Sequence, residues 1–277
     1  MNRSRISLLL WVAATAITII AAFYQRRIGP TTDLRGEISV GETTVHYVLK
    51  RSHGDLGDHE VVIPDRGGHM DGELTYKRYK TDDPWNVRPF RHSGDSLHAE
   101  IPRQPPGGKV SYAVTLWLKD SPEKRTTIPP NGSVIIRFRG PVPGAILACH
   151  ILFIFMGMLW SNRTGLEALG SHGNPRTYAW ISLTLLFLGG LVFGPIVQWY
   201  SFGEFWTGVP LGIDLTDNKL LISVLAWIVA LFRARRSNHE RWYYLGASLV
   251  TFIAFSIPHS LLGTELDYTE AGDLSTM

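Results

Sequence analysis

The sequence predicts an α+β membrane protein: five transmembrane helices carrying an inserted extracytoplasmic antiparallel β-sandwich. Three observations predict it. Apolar residues are segregated into runs, although the 277-residue chain has a mean hydropathy of only +0.03 and 18% charged residues. A helix crossing a bilayer needs about 20 mostly uncharged residues, and runs at 6–23, 142–160, 178–200, 220–232 with its flanks, and 242–262 meet or approach that length. Between the first two runs lie roughly 120 more polar residues, enough for one domain.

Each segment follows from local features. Residues 1–27 form an N-terminal anchor, because Tyr24-Gln25-Arg26-Arg27 is a poor context for signal-peptide cleavage. Residues 28–141 form the outer domain, 142–263 a four-helix bundle with an outer aromatic loop at 199–219, and 264–277 an acidic tail outside. Cations set the orientation. Arg3 and Arg5, Arg163 and Arg176, and Arg233, Arg235, Arg236 and Arg241 mark the inside. The connection at 200–218 and the tail carry none, while Arg26 and Arg27 are a minor violation. The N-terminus is expected to be cytoplasmic and the chain to reside in the inner (cytoplasmic) membrane.

The outer domain reads as β-structure. Short β-rich runs at 37–49, 60–63, 73–79, 96–101, 109–118 and 133–138 are separated by turn residues. Alternation is clearest in Val110-Ser111-Tyr112-Ala113-Val114 and Val134-Ile135-Ile136-Arg137-Phe138, and about seven short strands suggest a sandwich. The segment Leu97-His98-Ala99-Glu100-Ile101-Pro102, followed by Gly107-Gly108-Lys109-Val110-Ser111-Tyr112, resembles the E–F corner of fibronectin type III and immunoglobulin-like domains. That resemblance implies that Tyr112 ties the corner to nearby backbone. His46, His53, His59, His69, His92 and His98 match no compact metal-ligand spacing. The His53/His59 region, with Asp55 and Asp58, reads as a solvated loop. The domain is expected to bind a partner or brace the helices.

The candidate site lies in the helical half. His150 and His259 occupy apolar runs, and an ionisable residue at bilayer depth points to function. At 1.5 Å per residue, His150 lies roughly 10 Å and His259 roughly 5 Å inside the outer ends of their helices. That depth permits both to act as axial ligands of one b-type haem; each equally permits a structural bond to a carbonyl or serine. The face of His150 carries Ile146, Leu147, Phe153, Ile154 and Gly157, so close helix approach is expected two turns deeper than the histidine. Gly190 and Gly194 have the small-xxx-small spacing of close packing. Pro258 is expected to free backbone groups beside His259. Cys149 is the only cysteine, which excludes an intrachain disulfide and leaves packing or metal binding open.

Between the third and fourth runs stands Phe202-Gly203-Glu204-Phe205-Trp206-Thr207-Gly208, leading through Asp214 and Asp217 to Lys219. The string resembles the tryptophan-rich motif of the haem-handling proteins of cytochrome c assembly, with Phe202, Gly203, Trp206 and Asp214 at the matching places. Phe202 stands where that family has Trp, and Thr207 to Ile213 separate Trp206 from Asp214. The resemblance implies haem ligation by flanking histidines beneath a lid bearing Trp199 and Trp206. The alternative is an interfacial belt of Trp199, Tyr200 and Trp206, with Asp214 or Asp217 capping the next helix. Glu204, Asp214, Asp217, Lys219 and the tail residues Glu265, Asp267, Tyr268 and Glu270 are further polar candidates, suited to a proton or cation path.

Two functions are compatible with these features. One is a non-catalytic assembly or scaffold subunit whose outer domain binds other membrane or periplasmic proteins. The other is a haem b protein for electron transfer or haem handling. No G-x-S-x-G motif supports a hydrolase, no inverted repeat a transporter, and no basic stripe a nucleic-acid partner.

Overall fold

The computed structural model describes residues 3–170, 174–258, 263 and 266–268. The fold is α+β and divides into two units, a helical one (Met1–Pro30 and Val142–Thr264) and a β one (Thr31–Pro141 and Glu265–Met277).

Strand alternation builds the β unit. Its strands are β1 (Leu34–Val40), β2 (Thr43–Leu49), β3 (Ser52–His53), β4 (His59–Pro64), β5 (Met70–Arg78), β6 (Asn86–Pro89), β7 (Arg91–Ser93), β8 (Ser96–Ile101), β9 (Lys109–Leu118), β10 (Ser121–Ile128) and β11 (Val134–Phe138). β1 and β2 form a hairpin, β4-β8-β7 a second sheet, and β3-β11-β9-β5-β6 a third, with β10 also on β9. All pairs are antiparallel except β3 with β11, where Arg137 faces Ser52 in parallel. The expected single run at 37–49 is in fact the β1–β2 hairpin. Gly41 turns it at φ +61°, a left-handed backbone that favours glycine. β6, β7 and most of β10 are solvent-facing, so no apolar alternation announced them.

All three sheets feed one core, with Leu49, Ile63, Leu97, Leu74, Tyr112, Leu116 and Ile136 fully buried. Each such aliphatic side chain contributes about 1.5–3 kcal/mol on burial. Tyr112 belongs to this core, and its hydroxyl donates to a backbone carbonyl, that of Lys50 at 2.7 Å, joining β9 to the end of β2. Burial pushes the Tyr112 phenol well above its ordinary range, so it remains a donor.

His59 corrects the solvated-loop expectation. It opens β4, whose burial alternates from the first residue, and is only 6% exposed. Its ring lies 5.1 Å from the ring of His53 and 6.5 Å from that of Tyr112.

In the helical unit, α1 (Arg3–Ile28), α2 (Gly144–Leu169), the continuous helix Pro175–Phe202 and α5 (Leu215–Ala234) are long and apolar enough to cross a membrane. Pro175–Phe202 comprises α3 (Pro175–Leu186), a π-helical stretch (Phe187–Phe193) and α4 (Gly194–Phe202). α6 (Glu240–Ser256) has 17 residues. It stops because Pro258 forces Ile257 into an extended conformation, with ψ 128°. Large apolar side chains face outward, among them Leu8, Ile20 and Phe23 on α1, and Ile222, Leu225 and Phe232 on α5.

The π stretch has a local cause. Pro195 offers no N–H to the carbonyl of Leu191 and its ring clashes there, so the preceding turn widens. The glycines inside it then meet neighbouring helices. A Cβ on Gly189 would lie 2.8 Å from the Ile154 nitrogen, and one on Gly190 would collide with Leu220.

Burial, with help from His53 and Lys50, pushes the His59 pKa from 6.5 down to about 4. The unfolded chain therefore takes up a proton at higher pH than the folded one. His59 costs no stability above pH 6.5, and stability falls as pH drops from 6.5 towards 4, by at most about 3 kcal/mol. His59→Phe is expected to flatten the pH dependence of unfolding across that interval, measured by thermal or denaturant melts of the full chain. An unchanged slope excludes a buried neutral His59.

Candidate functional site

The polar residues singled out by the sequence fall, among the described residues of the helical unit, at three places. The first is His150, on the face of α2 that meets the π stretch. Its Nδ1 pairs with the Gly189 carbonyl at 2.8 Å, and Gly194 packs against the ring edge, a Cβ there lying 3.8 Å from Cε1. Close helix approach was expected only deeper, at Gly157. It does occur there, against Leu186, but it continues up to the histidine because the small residues belong to the partner helix.

The second place is the loop at 203–214. α4 ends on Gly203 (φ +83°), whose N–H returns to the Trp199 carbonyl at 2.8 Å. Trp199 stacks on Phe205, with centroids 5.6 Å apart, and touches Tyr200 edge-on. Trp206 donates to the Val209 carbonyl at 3.1 Å. Asp214 is the N-cap of α5, accepting the Thr216 N–H at 2.7 Å. Asp217 has another task. Its Oδ2 accepts the Thr207 N–H at 2.8 Å, the Thr207 hydroxyl at 3.2 Å and the Gln198 amide at 3.2 Å, pinning the loop between α4 and α5. Asn218 accepts the Val209 N–H at 2.7 Å, and a Cβ on Gly208 would lie 2.6 Å from that of Asp217. Glu204 is exposed.

The third place is the Ile257 carbonyl. Lys219, 3% exposed, donates its Nζ to it at 2.7 Å, and the Gln25 amide donates at 2.9 Å. The ends of α1, α5 and α6 are thereby tied together, which meets the expectation that backbone freed near Pro258 finds partners inside the protein.

The predicted residues therefore separate into different contacts. Asp214 and Asp217 converge on Thr207. Lys219 belongs to the Ile257 junction, and His150 to the Gly189 carbonyl. His259, Glu265 and Glu270 lie outside the described residues. Tyr268, expected beside the histidines, bonds Gln104 and the Lys109 carbonyl in the β unit. Among the described residues, no group of three or more His, Cys, Asp or Glu side chains could hold a metal ion.

Sequence reasoning missed Arg163 and Glu167. Arg163 was counted as a connecting-loop cation but lies within α2, its side chain 1% exposed and ion-paired with the equally buried Glu167. Its guanidinium carbon sits 5.4 Å from the Trp11 ring and 5.0 Å from the Tyr178 ring, and Ser7 accepts a bond at 3.4 Å. The preceding residue, Asn162, donates to the Thr18 hydroxyl at 3.0 Å, a second tie from α2 to α1. The signal was present: an Arg and a Glu four residues apart share a helix face.

Comparison of the chain with models of protein families, with curated proteins and with solved structures finds no match in any of the three.

Two measurements probe these contacts. Glu167→Leu strands a buried cation and is expected to cost about 3–5 kcal/mol, whereas Arg163→Met with Glu167→Leu is near neutral; detergent unfolding of both variants reads the difference. Asp217→Leu removes two bonds to Thr207 in the loop and one to Gln198 on α4. At about 1.5–3 kcal/mol for bonds to a charged group, it is expected to raise protease cleavage within 203–213 by about tenfold or more. Equal cleavage of variant and parent refutes the pinning role.

Proposed function

We propose that the chain is an integral membrane subunit, non-catalytic, whose outer immunoglobulin-like sandwich docks partner proteins within a membrane assembly. The observation that carries this reading is how the polar side chains of the helical unit are employed. His150, Asp214, Asp217, Lys219 and the Arg163–Glu167 pair each bond another protein group that joins two elements or stabilises one. Such employment suits a brace rather than a reaction centre.

The membrane reading draws on four long helices with apolar outward faces. Support for a fifth span comes from the tail. Leu266 donates its N–H to the Gly107 carbonyl at 3.1 Å, so the segment after α6 belongs with the β unit that follows α1. With 141 and 266 taken on one side of the membrane, passages between them come in pairs, which favours α6 as a fourth beside α2, Pro175–Phe202 and α5, and α1 as the fifth. Arg3, Arg5, Arg176 and the cations at 233–241 then share the cytoplasmic side of the inner membrane. One core shared by three sheets supports the sandwich.

A second reading has one observation in its favour. The Nδ1 bond to Gly189 fixes the His150 ring with Nε2 as its coordinating atom, the arrangement that holds a metal-ligating histidine. With His259 as second axial ligand, the site would take haem b, for electron transfer or haem handling.

Deletion of 32–140 separates the subunit role from an anchor role: partners that co-purify with the full chain are expected to be lost, and undiminished recovery overturns the scaffold reading. A visible spectrum of protein purified with haem supplied tests the second reading. A Soret band abolished by His150→Ala supports it, and a colourless preparation eliminates it.

A further inference from the structure

The β unit contains a formed slot that the reading above does not use. Its floor is the turn before β9. Gly108 donates to the Pro105 carbonyl at 2.9 Å, and Gly107 and Gly108 exchange bonds with Phe138, at 2.9 and 2.8 Å. One wall is Arg78, held by a bidentate pair with Asp83, Nε–Oδ2 2.6 Å and Nη2–Oδ1 3.0 Å. Into this frame comes the segment 266–268. Leu266 donates its N–H to the Gly107 carbonyl at 3.1 Å, one backbone bond of the kind peptide-binding surfaces use. Tyr268 places its ring under Arg78, 5.3 Å from the guanidinium carbon, and shares its hydroxyl proton between Gln104 Oε1 and the Lys109 carbonyl, each at 3.1 Å.

One detail marks the slot as fitted to a tyrosine. A Cβ on Gly108 would lie 2.7 Å from the Tyr268 hydroxyl, so only glycine leaves the room.

We propose that this slot is a peptide-recognition site for an extended, tyrosine-bearing segment, and that the C-terminal tail of the same chain occupies it in cis. The recognition elements are the Gly107 carbonyl for backbone, Gln104 and the Lys109 carbonyl for the phenol, and Arg78 for the ring. Nine residues separate Ser256 from Leu266, a short tether that gives the tail an effective concentration of about a millimolar. A peptide in trans therefore enters only when the tail is removed. The proposal is independent of whether the chain is an assembly subunit or binds haem.

The test uses the full chain in detergent and a fluorescent synthetic peptide of residues 263–277, read by anisotropy. The peptide is expected to bind Tyr268→Ala protein about 100-fold more tightly than the parent. The same peptide with Phe in place of its tyrosine is expected to bind several-fold more weakly. Adding Gln104→Met to Tyr268→Ala is expected to weaken binding as well. A chain ending at residue 264 empties the slot without altering it, and guards against misfolding of the point variant. Equal binding to parent and both emptied forms overturns cis occupancy. No binding to either emptied form, or binding indifferent to the peptide's tyrosine, overturns the slot itself.

Discussion

One constraint shapes much of the helical unit: a buried polar group is costly unless another protein group bonds or compensates it. The Ile257 carbonyl is where this is most visible. Pro258 forces Ile257 out of helical geometry, so α6 ends at Ser256 and that oxygen has no helical donor. Lys219 and Gln25 reach it from two other helices, and the ends of three elements are fixed by one acceptor. A buried ammonium is costly unless it is well bonded, so the lysine and the carbonyl each remove a penalty that the other would otherwise carry.

The same constraint explains the π stretch and the buried ion pair. Pro195 disturbs the ladder, the turn widens, and the Gly189 carbonyl meets His150. Arg163 and Glu167 compensate each other's charge, and aromatic rings of α1 and α3 cover the guanidinium. α1 is thereby engaged by polar ties as well as by apolar packing. That engagement gives it a part in the bundle beyond that of a simple anchor.

The β unit solves a different problem, that of closing one core with three sheets. Tyr112 contributes by spanning from β9 to the end of β2, where its hydroxyl holds the Lys50 carbonyl. The turn before β9 serves twice. It brings Gly107 and Gly108 against Phe138, and its remaining carbonyl and glycine surface receives the tail. A structural turn has become a binding surface because glycine leaves backbone accessible.

The sequence alone determined the α+β class, the long apolar helices, the strands at 96–101 and 109–118, and a capping aspartate at 214 or 217, between which the structure chose Asp214. Each is a local property: a run of apolar residues, an alternation or a capping side chain. The exposed strands β6, β7 and β10 carried no apolar period and went unread. So did the partners of His150, Asp217, Lys219, Arg163 and Tyr268. Tertiary structure alone decided those, because each partner comes from elsewhere in the fold or from a turn of helix whose burial the local pattern does not show. Which residues are ionisable is written along the chain. Which carbonyl, ring or carboxylate satisfies them depends on packing in three dimensions, where glycines admit close approach and prolines release the acceptors.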